Sequence, residues 1–178
     1  MIQRGRGLAT PGLKRPRRLA PDAGGRRLGR RGALAILAGA AVAGVAGLDH
    51  EAAAAAKAKR IVREAKKHKG ARYVAGGTGP RAFDCSGFTC YVVKKATGKD
   101  ITPSLQLQVD QAGKRIKKKR RKKGDLIFFN LEGGRRVTHV AIVLGRHKVI
   151  HAMNPELDVR TSDISDGSYW KVHSVRRM

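Results

Sequence analysis

Phe83-Asp84-Cys85-Ser86-Gly87-Phe88 lies between a Gly/Pro-rich loop, Ala75 to Arg81, and an apolar pattern of helical period that begins at the cysteine. Cys85, Phe88, Val92 and Ala96 mark one face of that helix, and Thr97-Gly98-Lys99-Asp100 ends it. A thiol in a first helical turn sits against unpaired backbone N–H groups and the positive end of the macrodipole. Both favour the thiolate, the nucleophilic form. A buried structural cysteine needs no such placement. Asp84 works the other way, because a carboxylate beside a thiol disfavours its ionisation. It is expected to cap the helix.

Upstream, Ala58, Ile61, Val62 and Ala65 recur at helical spacing and Gly70 is placed to end the helix. Arg72 to Val74 is a short extended segment. Downstream, Ser104 follows Pro103 and is placed to cap a short helix reaching Ala112. The texture then changes. Asp125 to Asn130, Val137 to Leu144 and Lys148 to Ala152 are short, apolar and rich in β-branched or aromatic residues, and Gly145-Arg146-His147 is a turn between the last two. Val159 to Ile164 and Trp170 to Val175 add two further strands. Helices followed by antiparallel strands predict an α+β fold, with N-terminal helices packed on a mostly antiparallel sheet.

Two histidines fall inside the strands. His139 interrupts an apolar run and His151 closes the next one. If these strands pair, the imidazoles approach to about the 4.8 Å interstrand spacing near the open end of the hairpin. Cysteine, strand histidine and a neighbouring polar residue form the pattern of nucleophile, general base and orienting group. A zinc-type site built from Cys85, His139 and His151 is the competing reading. It lacks a CxxC or HxxxH pair in support, so no metal or organic cofactor is expected. His50, His68, His147 and His173 read as surface residues. On one helix Cys85 and Cys90 lie about 7.5 Å apart along the axis and about 140° around it. That is too far for a disulfide, and both are expected free.

The 178-residue chain carries a formal charge of +26, shared by two segments. Residues 1–31 hold ten Lys/Arg and one acid, while residues 57–178 hold 29 Lys/Arg and ten acids. Lys117 to Lys123 (KKKRRKK) must be solvated or meet an anionic partner. Nucleic acid, an anionic membrane surface and anionic wall polymers are the candidates. Low aromatic content and the lack of a nucleic-acid motif argue against the first. Residues 32–48 are uncharged, mostly Ala and Gly, directly after Arg26-Arg27 and Arg30-Arg31, with small residues at Ala52 to Ala56. This reads as an export signal for the Sec or twin-arginine route, too short and weakly apolar for a stable span. The expected organisation is a basic leader over residues 1–56 and a folded domain over residues 57–178, touching membrane only during export.

Together, Tyr73-Val-Ala-Gly-Gly77, Phe83-Asp-Cys-Ser-Gly-Phe88, Gln108, Gly124-Asp-Leu-Ile-Phe-Phe129, Thr138-His-Val-Ala-Ile-Val-Leu-Gly145, Ile150-His-Ala152 and Tyr169-Trp170 resemble the successive motifs of the NlpC/p60 family. These are bacterial cell-wall cysteine endopeptidases of papain-like fold, and the resemblance covers about residues 57–178. It implies a secreted, wall-located enzyme that hydrolyses peptidoglycan stem peptides, usually between D-γ-glutamyl and diaminopimelate or lysine. By position Cys85 is the nucleophile, His139 the base and His151 the third polar residue. Tyr73 lines the site, and Asp84 and Ser86 bind the free amine of a stem peptide. The Cys85 N–H contributes to the oxyanion hole. Ala75 departs from the aromatic residue common there, Ile101-Thr-Pro-Ser-Leu105 lacks the usual Arg or His and Ser, and the KKKRRKK run replaces a less charged linker. The basic surface is a candidate for adhesion to anionic wall polymers. An amidase or acyltransferase of the same fold, and a non-catalytic basic module, are the alternatives.

Overall fold

The computed structural model describes residues 39–178. The chain runs through helix α1 (Gly39–Lys67), strands β1 (Arg72–Tyr73) and β2 (Ala82–Phe83), helices α2 (Cys85–Thr97) and α3 (Leu105–Gln111), then β3 (Lys114–Ile116), β4 (Leu126–Asn130), β5 (His139–Val143), β6 (Lys148–Ala152), β7 (Val159–Asp163) and β8 (Lys171–Arg177). A six-stranded sheet of order β3-β8-β4-β5-β6-β7 carries only antiparallel pairs. The expected α+β class is therefore what the chain adopts. Helix α1 starts well before the helix expected from Ala58, and it passes the boundary at 56/57 without a break. The expected leader and signal otherwise lie outside the described residues. Among the described residues no helix is long and apolar enough to cross a membrane.

The helices exist because the sheet needs a cover. On one face of the sheet Leu126, Phe128, Val140, Ile142 and Ile150 pack with Ile61 and Ala65 of α1 and Phe88, Val92 and Val93 of α2. On the other, Ile127, Phe129, Ala141, Val143 and Val149 pack with Trp170 and Val175. Strands β4 to β6 are thus apolar on both sides, which explains their continuous rather than alternating hydrophobicity. Gly124, at φ +83°, lets α1 come close, since a Cβ there would stand 2.8 Å from the Ala58 Cα. Its positive φ would strain any L side chain as well.

Four features depart from expectation. β1 and β2 form their own parallel pair, with Tyr73 opposite Phe83. β3 was not expected, and the last strand, β8, inserts between it and β4. His68 is not a surface residue. It is half-buried, 3.3 Å from Glu64 Oε1 and edge-on to Phe83 and Tyr91. His173 is also half-buried, with Nδ1 3.2 Å from Ser174 Oγ. His50 and His147 are exposed as expected.

Candidate active site

Helix α2 starts at the cysteine because Asp84 caps it. Its Oδ1 accepts from the Gly87 N–H at 2.6 Å and the Ser86 hydroxyl at 3.0 Å, while Oδ2 accepts from the Gly76 N–H at 3.0 Å. The carboxylate so ties the glycine loop to the helix. Gly87 is required for this closure, because a Cβ there would lie 2.0 Å from the Gly77 carbonyl oxygen. That same carbonyl accepts the Asp84 N–H at 2.8 Å. Ser86 is buried with its hydroxyl committed to Asp84, so of the three expected substrate contacts it is the least accessible. Tyr73 is held by its strand pairing and by its N–H, which donates to Asp158 Oδ1 at 2.8 Å. Burial raises the affinity of its phenol for its proton, and Cys85, when ionised, and Asp84 add to this.

Gln108 supports the first turn of α2 from behind. Fully buried, it donates from Nε2 to the Ser86 carbonyl at 2.8 Å and the Thr102 carbonyl at 2.7 Å, and its Oε1 accepts from Thr89 Oγ1 at 2.7 Å. Every polar atom of the amide but its lone-pair surplus is satisfied.

The thiol does not behave as its helix position predicts. Burial, then the Asp84 charge, push Cys85 up to about 11, while the backbone N–H groups of Val140, Ser86 and Cys85 itself pull the other way. Desolvation outweighs the helix end. The Val140 N–H belongs to the peptide that follows His139, so the thiol lies at the start of β5. Cys85 and Cys90 are both free.

Asp84→Asn keeps the capping oxygen but removes the charge. The sign follows directly: a lower thiol pKa leaves more thiolate at pH 8. Iodoacetamide alkylation of Cys85, assigned against Cys90 by peptide fragmentation, is expected to speed up several-fold. An unchanged rate would show that Asp84 has no electrostatic hold on the thiol.

His139 and His151 are not directly opposed. The register Ile142↔Ile150 and Val143↔Val149 continues to put His151 opposite Ala141, two residues from His139 on the same face. Their rings still meet at 4.9 Å between centroids, with His139 Nε2 2.6 Å from His151 Nδ1. That distance is one N–H···N bond and leaves no room for an ion bridging the two nitrogens. His151 Nε2 continues to Ser162 Oγ at 2.9 Å. Ser162, on the edge strand β7, carried no signal in the sequence. Trp170 and Phe129 close the histidines in from the second face.

Burial holds both imidazoles neutral. His139 is lowered to about 3, by desolvation and then by His151; His151 is lowered to about 4, by desolvation and then by Arg160, its cross-strand partner. In the unfolded chain both protonate near pH 6.5, so below that pH the unfolded state binds more protons and stability falls. Each histidine contributes about 1 kcal/mol of loss per pH unit between pH 6.5 and 5. Urea midpoints are expected to drop across this window and to flatten in His139→Gln/His151→Gln. A flat wild-type profile would overturn the neutral pair.

A family model for the NlpC/P60 family matches residues 70–178. Protein P54 of Enterococcus faecium is 43% identical over 104 residues, which cover 58% of this chain and 20% of that protein. The gamma-DL-glutamyl hydrolase of Bacillus subtilis (strain 168) is 34% identical over 112 residues, or 62% of this chain and 26% of that protein. The solved NlpC/p60 domain of the peptidoglycan hydrolase SagA matches with a TM-score of 0.59 at 39% identity, covering 68% of this chain and 98% of that chain. The chain thus spans 20% and 26% of the length of the two curated relatives.

Proposed function

Because the chain belongs to the NlpC/P60 family, we propose that residues 57–178 act as a cysteine peptidase on peptidoglycan stem peptides, cutting between D-γ-glutamyl and diaminopimelate or lysine. The observation that carries this reading is a thiol beside the His139–Val140 peptide, with His139 backed by His151 and then Ser162. A relative named for γ-DL-glutamyl hydrolysis and a structural neighbour named a peptidoglycan hydrolase support the substrate class. The site of action is the cell wall, reached by export with residues 1–56 as leader.

The chemistry starts from a neutral pair. His139 Nε2 is engaged by His151, so its free nitrogen is Nδ1. For Nδ1 to be a base, the proton sits on Nε2 and is donated to His151 Nδ1; His151 then donates from Nε2 to Ser162 Oγ. Nδ1 takes the thiol proton as Sγ attacks the carbonyl carbon of the scissile amide. The Cys85 and Ser86 N–H groups, beside the thiol, stabilise the oxyanion. The imidazolium returns the proton to the leaving amine, and water then cleaves the thioester with His139 again as base. Tyr73 and Asp84 meet the substrate, the latter through its free amine, and Ser86 acts by holding Asp84. No metal or organic cofactor enters these steps.

Ser162 is a positioning residue. Ser162→Ala removes the acceptor that fixes the proton order along the two rings. It is expected to lower kcat about tenfold with little change in KM, and to distort the pH–rate profile. A wild-type profile would remove Ser162 from the chain.

The test of the whole reading is incubation of the protein with diaminopimelate-type and lysine-type peptidoglycan and mass analysis of the fragments. New D-γ-glutamyl carboxyl ends are expected. Transfer products, or sugar–peptide amide cleavage, would replace the reading with an acyltransferase or an amidase.

A further inference from the structure

Away from the thiol, α1, the KKKRRKK run and the β5–β6 turn enclose a groove of about 1320 Å³. Its floor is small and apolar, made by Ala55, Ala58 and Val62. Lys59, Arg63 and Lys66 rise along one wall at successive helical turns; Lys119, Lys122 and Lys123 form another, and Arg146 and His147 close the end. No acidic residue lines it. Among the described residues the one acid paired with this set is Glu51, 3.5 Å from Lys122 in an exposed and weak contact. Apart from Ala55 the groove survives removal of residues 1–56.

The basic run is fixed, not a loose tail. Arg121 donates to the Arg146 carbonyl at 2.6 Å, the Lys122 N–H donates to Asp125 Oδ2 at 2.7 Å, and Arg177 donates to the Arg120 carbonyl at 3.1 Å. Arg177 also pairs with the buried Asp125 at 2.8 Å. Arg121 thus serves as a clasp and Lys118 bonds the Val172 carbonyl, while Lys119, Lys122 and Lys123 are exposed. Like charges held in a fixed array, with no counter-charge built in, imply an external anion.

We propose that this groove binds a flexible, single-chain phosphodiester polymer of the poly(glycerol phosphate) kind. Charge complementarity selects it. A second copy of this chain, at +26, and the chain's own residues 1–31, with ten Lys/Arg against one acid, are both repelled. Single-stranded nucleic acid is disfavoured because the lining has no Phe, Tyr or Trp on which bases stack. The small-residue floor admits close approach of a thin aliphatic chain, and cations one turn apart, about 5 Å along the axis, meet successive phosphates. The groove would hold the enzyme on the wall by charge.

The test uses the full chain with purified poly(glycerol phosphate), a single-stranded oligonucleotide and phosphatidylglycerol vesicles. Lys59→Gln/Arg63→Gln/Lys66→Gln/Lys123→Gln is compared with a charge-matched control, Lys99→Gln/Arg135→Gln/Arg136→Gln/Lys171→Gln. The groove variant is expected to weaken polymer binding at least about tenfold at low salt and to reduce the log–log salt slope by about three; the control changes both far less. Equal losses in the two variants would mean diffuse surface charge and overturn the proposal. Tighter binding to oligonucleotide or vesicles would reassign the groove to those partners. Binding is expected to survive Cys85→Ser, and turnover of a short soluble stem peptide to survive the groove substitutions, so this proposal and the peptidase reading fail separately.

Discussion

Cys85→Ala is expected to leave less than about a thousandth of the wild-type rate of stem-peptide hydrolysis. The melting temperature should move by only a few degrees. The two halves of this expectation have different origins. Sγ is the atom that bonds to substrate, so without it the covalent route is closed and only binding and the oxyanion donors remain. For stability, alanine occupies the first helical position as well as cysteine does. Deleting one half-buried sulfur costs about 1 kcal/mol. The Asp84 cap, its bond to Gly87 and the Gln108 bracket are all independent of the thiol. Fragment analysis of digested peptidoglycan and calorimetry together decide the matter. Turnover above a few per cent of wild type would remove Cys85 as nucleophile, and a collapsed melting temperature would make the lost activity uninformative.

Gln108→Leu is expected to damage both stability and activity although Gln108 is not itself assigned to the chemistry. Leucine matches the volume but offers no donor or acceptor. The Thr102 and Ser86 carbonyls lose the amide that donates to them, and the single Thr89 hydroxyl proton must turn from Gln108 Oε1 to the Ser86 or Cys85 carbonyl. Leaving such groups unmet costs about 1–3 kcal/mol each, so a total near 3 kcal/mol is reasonable. For a domain of this size that is a fall of roughly 10 °C in Tm. Thr102 adds to it, because its φ of 57° is a left-handed conformation that Gln108 helps to hold. Release of Ser86 loosens the turn that aims Cys85, so kcat is expected to fall several-fold even in the fraction that stays folded. Scanning calorimetry and turnover measured well below Tm check the two effects. A variant with wild-type Tm would show that the bracket is dispensable.

The sequence announced its local signals and concealed its long-range ones. The start of α2 was legible because a cap, a loop and an apolar period meet at Asp84 and Cys85. The β5–β6 hairpin was legible for a similar reason, since apolar runs flank Gly145-Arg146-His147, and with it came the proximity of His139 and His151. β3 was hidden because Lys-Arg-Ile has no strand pattern of its own and forms only by pairing with β8 across a gap of more than fifty residues. Ser162 was hidden because a serine in a polar edge strand looks like any solvated residue. The thiol was misjudged for a physical reason. The helix end is visible in sequence, whereas the desolvation that outweighs it depends on the packing of Cys85 against the core around Val140. The early start of α1 was masked by composition, since an Ala/Gly run reads as a signal whether or not it is helical.

His139, His151 and Ser162 come from three adjacent strands and bond to one another directly, with Trp170, just before β8, packed against the two rings. Their alignment is therefore a property of strand pairing. β7 is at the edge of the sheet, and among the described residues β6 is its one strand partner, while its first residue, Val159, also exchanges backbone bonds with Gly70 and Ala71. A slip of one residue along that single seam would turn Ser162 to the opposite face while preserving most of the backbone hydrogen bonds. The proton order of the site is thereby written in the phase of the sheet. Lengthening the 153–158 connection by one residue should lower kcat about tenfold, as Ser162→Ala does, while leaving circular dichroism almost unaltered, which makes catalytic rate a gauge of register in this fold.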